Sequence, residues 1–290
     1  MVKSQFVYSR FKNSPMKKLL LFLFILFKSI SVFSQEYQTI SNVRYYDEKT
    51  NQSDVYINER CVLDVYVPKN VKNFSTIIWF HGGGITGGEK HLPEELKNKG
   101  VAIIAVNYRL SPKVKAPKYI EDAATATAWV FNNIKKYGGS EDLIFITGHS
   151  AGGYLASMVG LNKSYLNKYK IDANRLAGII PFSGQMISHF TTRKEKGIDE
   201  LDARIDEMAP LHFIRADAPP LLLITGDREK ELMGRYEENA YMWRMMKLKG
   251  HKETVLYELD GFDHGGMAVP AFPLLLNEIK RIEKLKNIQR

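Results

Sequence analysis

Six short apolar runs, at 76–80, 101–106, 143–147, 177–182, 221–225 and 254–259, alternate along the chain with longer stretches of helical periodicity. A strand that is apolar at nearly every position needs cover on both faces, and intervening helices supply it. The alternation therefore predicts an α/β fold, a mostly parallel central sheet with helices on both sides. Helices are expected at roughly 89–99, 118–137, 152–162, 235–249 and from Pro270 onward. Pro117 stands just before the second, and Gly138-Gly139 supplies its stop. Upstream, 42–67 reads as two β-rich stretches separated by the polar segment 51–54, with alternation strongest at Leu63, Val65 and Val67. That pattern predicts an antiparallel start to the sheet.

The first 34 residues read differently. Met16-Lys17-Lys18 precedes an apolar run at 19–27, and Ser31-Val32-Phe33-Ser34 follows with compact residues where a signal peptidase would cut. The run is about half of the roughly 20 apolar residues that span a bilayer, so an export signal is expected at 1–34 rather than a membrane anchor. Residues 1–15 look like an extension upstream of a start at Met16. The rest, 35–290, is expected to be one domain, secreted or periplasmic. Six of the 41 basic residues and none of the 32 acidic ones fall in 1–34, so without it 35 basic residues face 32 acidic ones and the net charge drops from +9 to +3. A nearly balanced surface gives no reason to expect nucleic acid or an anionic membrane as partner. Cys61 is the single cysteine, which excludes an intramolecular disulfide and predicts a buried thiol on a strand.

The run at 143–147 leads directly into Gly148-His149-Ser150-Ala151-Gly152, which opens the next helical pattern. A turn this tight strains the serine backbone, and side chains at the flanking glycines would strike neighbouring chain. The strain lifts the serine hydroxyl clear of the sheet edge, beside the unpaired N–H groups of the helix start. Ser150 is therefore a candidate nucleophile. The run at 254–259 ends in Asp260-Gly261-Phe262-Asp263-His264-Gly265-Gly266, that at 221–225 in Gly226-Asp227-Arg228-Glu229, and that at 76–80 in His81-Gly82-Gly83-Gly84. Open parallel sheets carry their sites at the carboxyl ends of the strands, so the four loops are expected on one edge.

These segments together resemble the serine esterases and lipases of the α/β-hydrolase superfamily, close to the hormone-sensitive-lipase-like and small bacterial carboxylesterases. The resemblance covers about 60–285 and also takes in Asn107-Tyr108-Arg109-Leu110. Nucleophile, acid and histidine occur in the superfamily's order. A serine hydroxyl is hardly ionised at neutral pH and needs an imidazole to take its proton; His264, between the last strand and two glycines, is the candidate base. The acid must hold the other ring nitrogen. The resemblance implies a carboxylate three residues beyond the strand-ending glycine, which is Glu229, with Asp227 as competitor. By resemblance the backbone N–H groups of Gly83, Gly84 and Ala151 form the oxyanion hole.

The glycine loop matches neither a dinucleotide fingerprint nor a Walker loop, and His91, His189 and His212 lack paired metal-ligand spacing, so neither cofactor nor metal is expected. The 185–219 segment is the cap candidate, with Ile198, Leu201, Ile205 and Met208 on one face of a possible helix. So short a cap suits small esters rather than long-chain lipids. The expected function is that of an exported serine carboxylesterase on short-chain or carbohydrate-linked acyl esters. The alternatives are a peptidase or amidase of the same fold, or a binding protein on that scaffold. The sequence sets no oligomeric state.

Overall fold

The computed structural model describes residues 35–288. The export-signal expectation at 1–34 lies outside them. Among the described residues an eight-stranded sheet has the order β1-β2-β4-β3-β5-β6-β7-β8. Its strands are β1 (Tyr37–Arg44), β2 (Val62–Pro68), β3 (Phe74–Phe80), β4 (Ala102–Val106), β5 (Gly139–His149), β6 (Gly178–Phe182), β7 (Leu221–Gly226) and β8 (Thr254–Leu259). β2 runs antiparallel to both β1 and β4, and every pairing from β4 through β8 is parallel. The α/β architecture and the antiparallel start follow the sequence reading.

Covering the sheet are α1 (Glu48–Ser53), α2 (Val55–Arg60), α3 (Lys118–Asn133), α4 (Ala151–Leu161), α5 (Lys163–Asn167), α6 (Phe190–Glu195), α7 (Arg235–Leu248) and α8 (Ala268–Ile288). Side chains alternate between the two faces, which explains why the strands are apolar throughout. Ile78, Phe80, Ile104 and Ile146 pack with α3 and α4 residues such as Val130 and Leu155, while Ile77, Trp79, Phe145 and Ile224 pack with Phe272, Leu275 and Ile279 of α8. Each such side chain contributes about 1.5–3 kcal/mol relative to exposure.

Three sequence expectations need correction. The segment 48–60 forms α1 and α2 rather than strand, because Asp47 accepts the Thr50 N–H and Asp54 accepts the Ile57 N–H. Two N-caps in succession outweigh the β-branched Thr50, Val55 and Ile57 of this segment. Instead of a helix at 89–99 there is one 3-10 turn, Glu94–Leu96. Pro93 removes a donor, and Asn98 and Gly100 have φ of 59° and 80°, which no right-handed helix tolerates. The stripe in the 185–219 segment is no helix face either: Leu201 and Ile205 point to solvent, 75% and 51% exposed. Cys61 is buried as expected, but it caps α2 immediately before β2.

Candidate active site

β3, β5, β6, β7 and β8 end at one edge, with Phe80 paired to Gly148, Gly148 to Pro181 and Gly226 to Leu259. At the centre, β5 gives way to α4 through Ser150, whose φ of 56° and ψ of −117° lie where side-chain-bearing residues rarely sit. The Ser150 N–H donates to the Phe182 carbonyl at 2.8 Å, tying the turn to the neighbouring strand end. The flanking glycines are needed for space. A Cβ on Gly152 would stand 2.0 Å from the Phe80 carbonyl oxygen, and one on Gly148 would stand 2.5 Å from that atom.

The glycine loop curls over this turn. A Cβ on Gly82 would lie 3.5 Å from Cβ of Ser150, and Gly83 has a φ of 110° that its tight turn requires. The Gly83 carbonyl accepts from the amides of Thr86 and Gly87, both at 3.0 Å. Among the described residues no acceptor is recorded for the N–H groups of Gly83, Gly84 and Ala151, the three donors expected from the sequence. His81 supports the loop from below. Burial lowers its pKa to about 4, so the ring is neutral; Nδ1–H donates to the Gly82 carbonyl at 2.7 Å, and Arg60 Nη2 donates to Nε2 at 3.2 Å. The Asn107-Tyr108-Arg109-Leu110 stretch is scaffolding. The Tyr108 hydroxyl donates to the His81 carbonyl, and Arg109 makes a bidentate pair with buried Asp122 at 2.9 and 2.7 Å. The 185–219 segment meets the loop through α6. Phe190 reaches within 3.1 Å of a Cβ built on Gly84, and the Thr191 hydroxyl donates to the Gly84 carbonyl.

His264 pairs with Glu231, which corrects the expectation of Glu229. His264 Nδ1 lies 2.7 Å from Glu231 Oε2, and the Glu231 side chain is 1% exposed. Oε1 of Glu231 accepts from the Gly226 amide at 2.8 Å and from the Ser183 hydroxyl. Burial alone would raise this carboxyl; the hydrogen bonds from His264, Ser183 and Gly226 outweigh it and hold the pKa at about 2. Glu229 is exposed, and its N–H merely donates to Asp227. Asp227, the competitor, accepts the Gly261 N–H at 2.8 Å while its own N–H donates to Phe262, clamping the histidine loop to β7. The reason is one helical turn. The amides of Lys230 and Glu231 both donate to the Asp227 carbonyl, carrying the chain round so that Glu231 faces inward and Glu229 outward. Within the charge run 227–231 nothing in the residue types marks that turn.

His149, beside the nucleophile, carries a second link. Its Nε2 donates to the His264 carbonyl at 2.8 Å, and the two rings lie 4.8 Å apart at 39°. Burial, with the neighbouring His264, lowers its pKa to about 4. It is neutral at pH 7 and puts no positive charge beside His264. Nε2 of His264 is itself buried and has no hydrogen-bonded partner among the described residues. In His149→Phe, kcat for a short ester should fall about tenfold or more, while His149→Gln, whose amide N–H reaches the same carbonyl, retains most activity. Because a group with a depressed pKa loses its stabilisation as pH falls, the Phe variant should also lose less stability than the wild type between about pH 6.5 and 4. Equal kcat in both variants would sink the role of the bond.

The sheet order, the strained serine on the β5–α4 turn and the histidine loop after β8 are those of an α/β-hydrolase. Within that class the chain belongs to the BD-FAE family, whose pattern matches residues 63–235. It is 28% identical over 200 residues to a probable carboxylic ester hydrolase, LipM, of Mycobacterium tuberculosis, a match that covers 61% of this chain and 45% of LipM. The chain spans about half the length of the curated relatives it matches first. Among solved structures, a truncated carbohydrate esterase from gut microbiota superposes with a TM-score of 0.69 at 19% identity, covering 87% of this chain and 98% of that one. Esterase B from Lactobacillus rhamnosis superposes with a TM-score of 0.67 at 18% identity, covering 94% and 95%. At those identities the structural likeness carries the fold.

Proposed function

We propose that this protein is an exported serine carboxylesterase that cleaves short-chain or carbohydrate-linked acyl esters through an acyl-enzyme, with Ser150, His264 and Glu231 as its triad. The observation that carries the reading is the state of His264. One ring nitrogen is held by a buried, ionised carboxylate at 2.7 Å; the other is buried with no hydrogen-bonded partner among the described residues, in a ring 4.8 Å from that of His149, the neighbour of Ser150. In that state Nδ1 carries the proton and Nε2 is the base. Ser150 Oγ attacks the acyl carbon as its proton passes to Nε2. The carbonyl oxygen becomes an oxyanion, stabilised by the N–H groups of Gly83, Gly84 and Ala151, each donor contributing about 2.7–4 kcal/mol. The imidazolium, stabilised by Glu231, protonates the leaving alcohol. Water then repeats the sequence on the acyl-serine, releasing the acid and restoring the hydroxyl.

Ester chemistry is supported by LipM and by esterase B, both so named, and carbohydrate-linked substrates by the carbohydrate esterase from gut microbiota. Export rests on the leader pattern at 1–34; among the described residues no helix is long and apolar enough to cross a membrane. A fluorophosphonate probe with the purified protein tests the reading. Labelling mapped to Ser150 by mass spectrometry, together with turnover of p-nitrophenyl acetate, is the expected result. Labelling elsewhere, or none with no ester turnover, would overturn it.

A further inference from the structure

Helix α7 opens on polar side chains that face inward: Arg235 and Asn239 are fully buried, and Glu238 is buried as well. Charged and amide groups leave water only where partners make up for the lost hydration. Those partners lie mainly in one irregular segment, residues 183–187, which follows β6. Asn239 Nδ2 donates to the Gly184 carbonyl at 2.9 Å, and the Glu238 carboxylate accepts the Met186 N–H at 2.8 Å. Arg235 Nη1 donates to the Ser183 carbonyl, and among the described residues it is the one nitrogen of that guanidinium with a hydrogen-bonded partner. One helical turn therefore grips the backbone of a segment that has no regular structure of its own.

That segment delivers the Ser183 hydroxyl to Glu231, the partner of His264. Ser183 has a φ of 45°, in the left-handed region that side-chain-bearing residues seldom occupy. Such a conformation persists only where the surroundings over-determine it. Here the Ser183 N–H donates to the Ile224 carbonyl at 2.7 Å, its carbonyl accepts from Arg235, and its hydroxyl donates to Oε1 of Glu231. The first bond anchors Ser183 to β7, and the second opposes relaxation toward extended backbone. Arg235 and Glu231 are themselves joined by a tight connection, with φ of 42° at Met233 and 68° at Gly234. Three residues thus close a ring: Glu231 to Ser183, Ser183 to Arg235, and Arg235 back to Glu231 along the chain.

We propose that Arg235 is a positioning residue for the triad acid and acts through Ser183: the guanidinium fixes the Ser183 backbone, the Ser183 hydroxyl fixes the Glu231 carboxylate, and Glu231 orients His264. This assignment rests on the esterase reading above. A double-mutant cycle on p-nitrophenyl acetate tests it. Ser183→Ala removes a hydrogen bond to a charged group, so kcat should fall about tenfold or more while KM stays within about twofold. Arg235→Met should show a loss of similar size, again in kcat. Arg235→Lys, whose ammonium can still donate to the Ser183 carbonyl, should stay within about threefold of the wild type. In the Ser183→Ala background, Arg235→Met should add no more than about twofold, because two residues on one path do not lose independently. Where Arg235→Met fails to fold, Arg235→Gln takes its place in the cycle as a neutral side chain too short for that carbonyl. Losses that multiply in the double variant, or Ser183→Ala within about twofold of the wild type, overturn the assignment and leave the esterase reading standing. A wild type that turns over no ester overturns both.

Discussion

Ser150→Ala is expected to reduce ester hydrolysis by about a millionfold, to the background level, while the protein unfolds at nearly the wild-type temperature. The first half follows from chemistry: no other side chain takes the position at the end of β5, and water attacking without an activated hydroxyl retains only the oxyanion donors. The second half follows from the turn. The Ser150 side chain makes no capping hydrogen bond to α4, so alanine loses no cap, and it suffers the same backbone strain at φ 56°. A shift in Tm within about 2 °C is expected for so small a change. Ser150→Gly separates strain from chemistry. It should be equally inactive yet more stable than Ser150→Ala, because glycine alone adopts these angles without cost. Activity within tenfold of the wild type in either variant would remove Ser150 from the reaction, and a glycine variant less stable than the alanine variant would show that the turn is not strained.

Glu231→Gln carries the second-largest expected effect, a loss of about 10³–10⁴ in kcat, whereas Glu229→Gln should stay within about twofold. The hydrogen bonds around the carboxylate explain the size. Oε1 accepts from the Gly226 N–H and the Ser183 hydroxyl, so a glutamine must turn its oxygen there and its NH₂ toward His264. Nδ1 of His264 then has to accept, its proton moves to Nε2, and Nε2 can no longer take a proton from Ser150. The variant should also show a different acid response. The Glu231 pKa is held at about 2, below its unfolded value, so the carboxylate's stabilisation is complete above about pH 4.5 and is lost as pH falls toward 2. Glu231→Gln should lack that contribution, and its stability should fall less steeply across that window in acid denaturation. Equal losses in the Glu229 and Glu231 variants would disprove the pairing.

The residues that carry local rules were legible in sequence. Gly148 and Gly152 announced a turn where a side chain would strike neighbouring chain, and in the structure a Cβ on either would stand 2.5 and 2.0 Å, respectively, from the Phe80 carbonyl oxygen. His264 stood out because a histidine between a last strand and two glycines has few structural uses. Other local signals are present but stand among residues of high strand propensity. Asp47 and Asp54 are ordinary N-cap residues, yet 42–67 reads as β because five valines and four tyrosines fall within it.

Sequence by itself determined the layered sheet, the order of its chemical loops and the residue at the strained turn, because strand period, turn chemistry and glycine requirements are set within a few neighbouring residues. Tertiary structure alone decided which carboxylate serves His264, since Asp227, Glu229 and Glu231 differ only in where one helical turn points them. Two hydrogen bonds to the Asp227 carbonyl make that turn, and contacts from Gly226, Ser183 and His264, residues up to 48 positions away, hold Glu231 in its place. The same holds for Arg235, whose guanidinium meets the carbonyl of Ser183, 52 positions away. No stretch of sequence shows those two groups meeting until the sheet has brought them together.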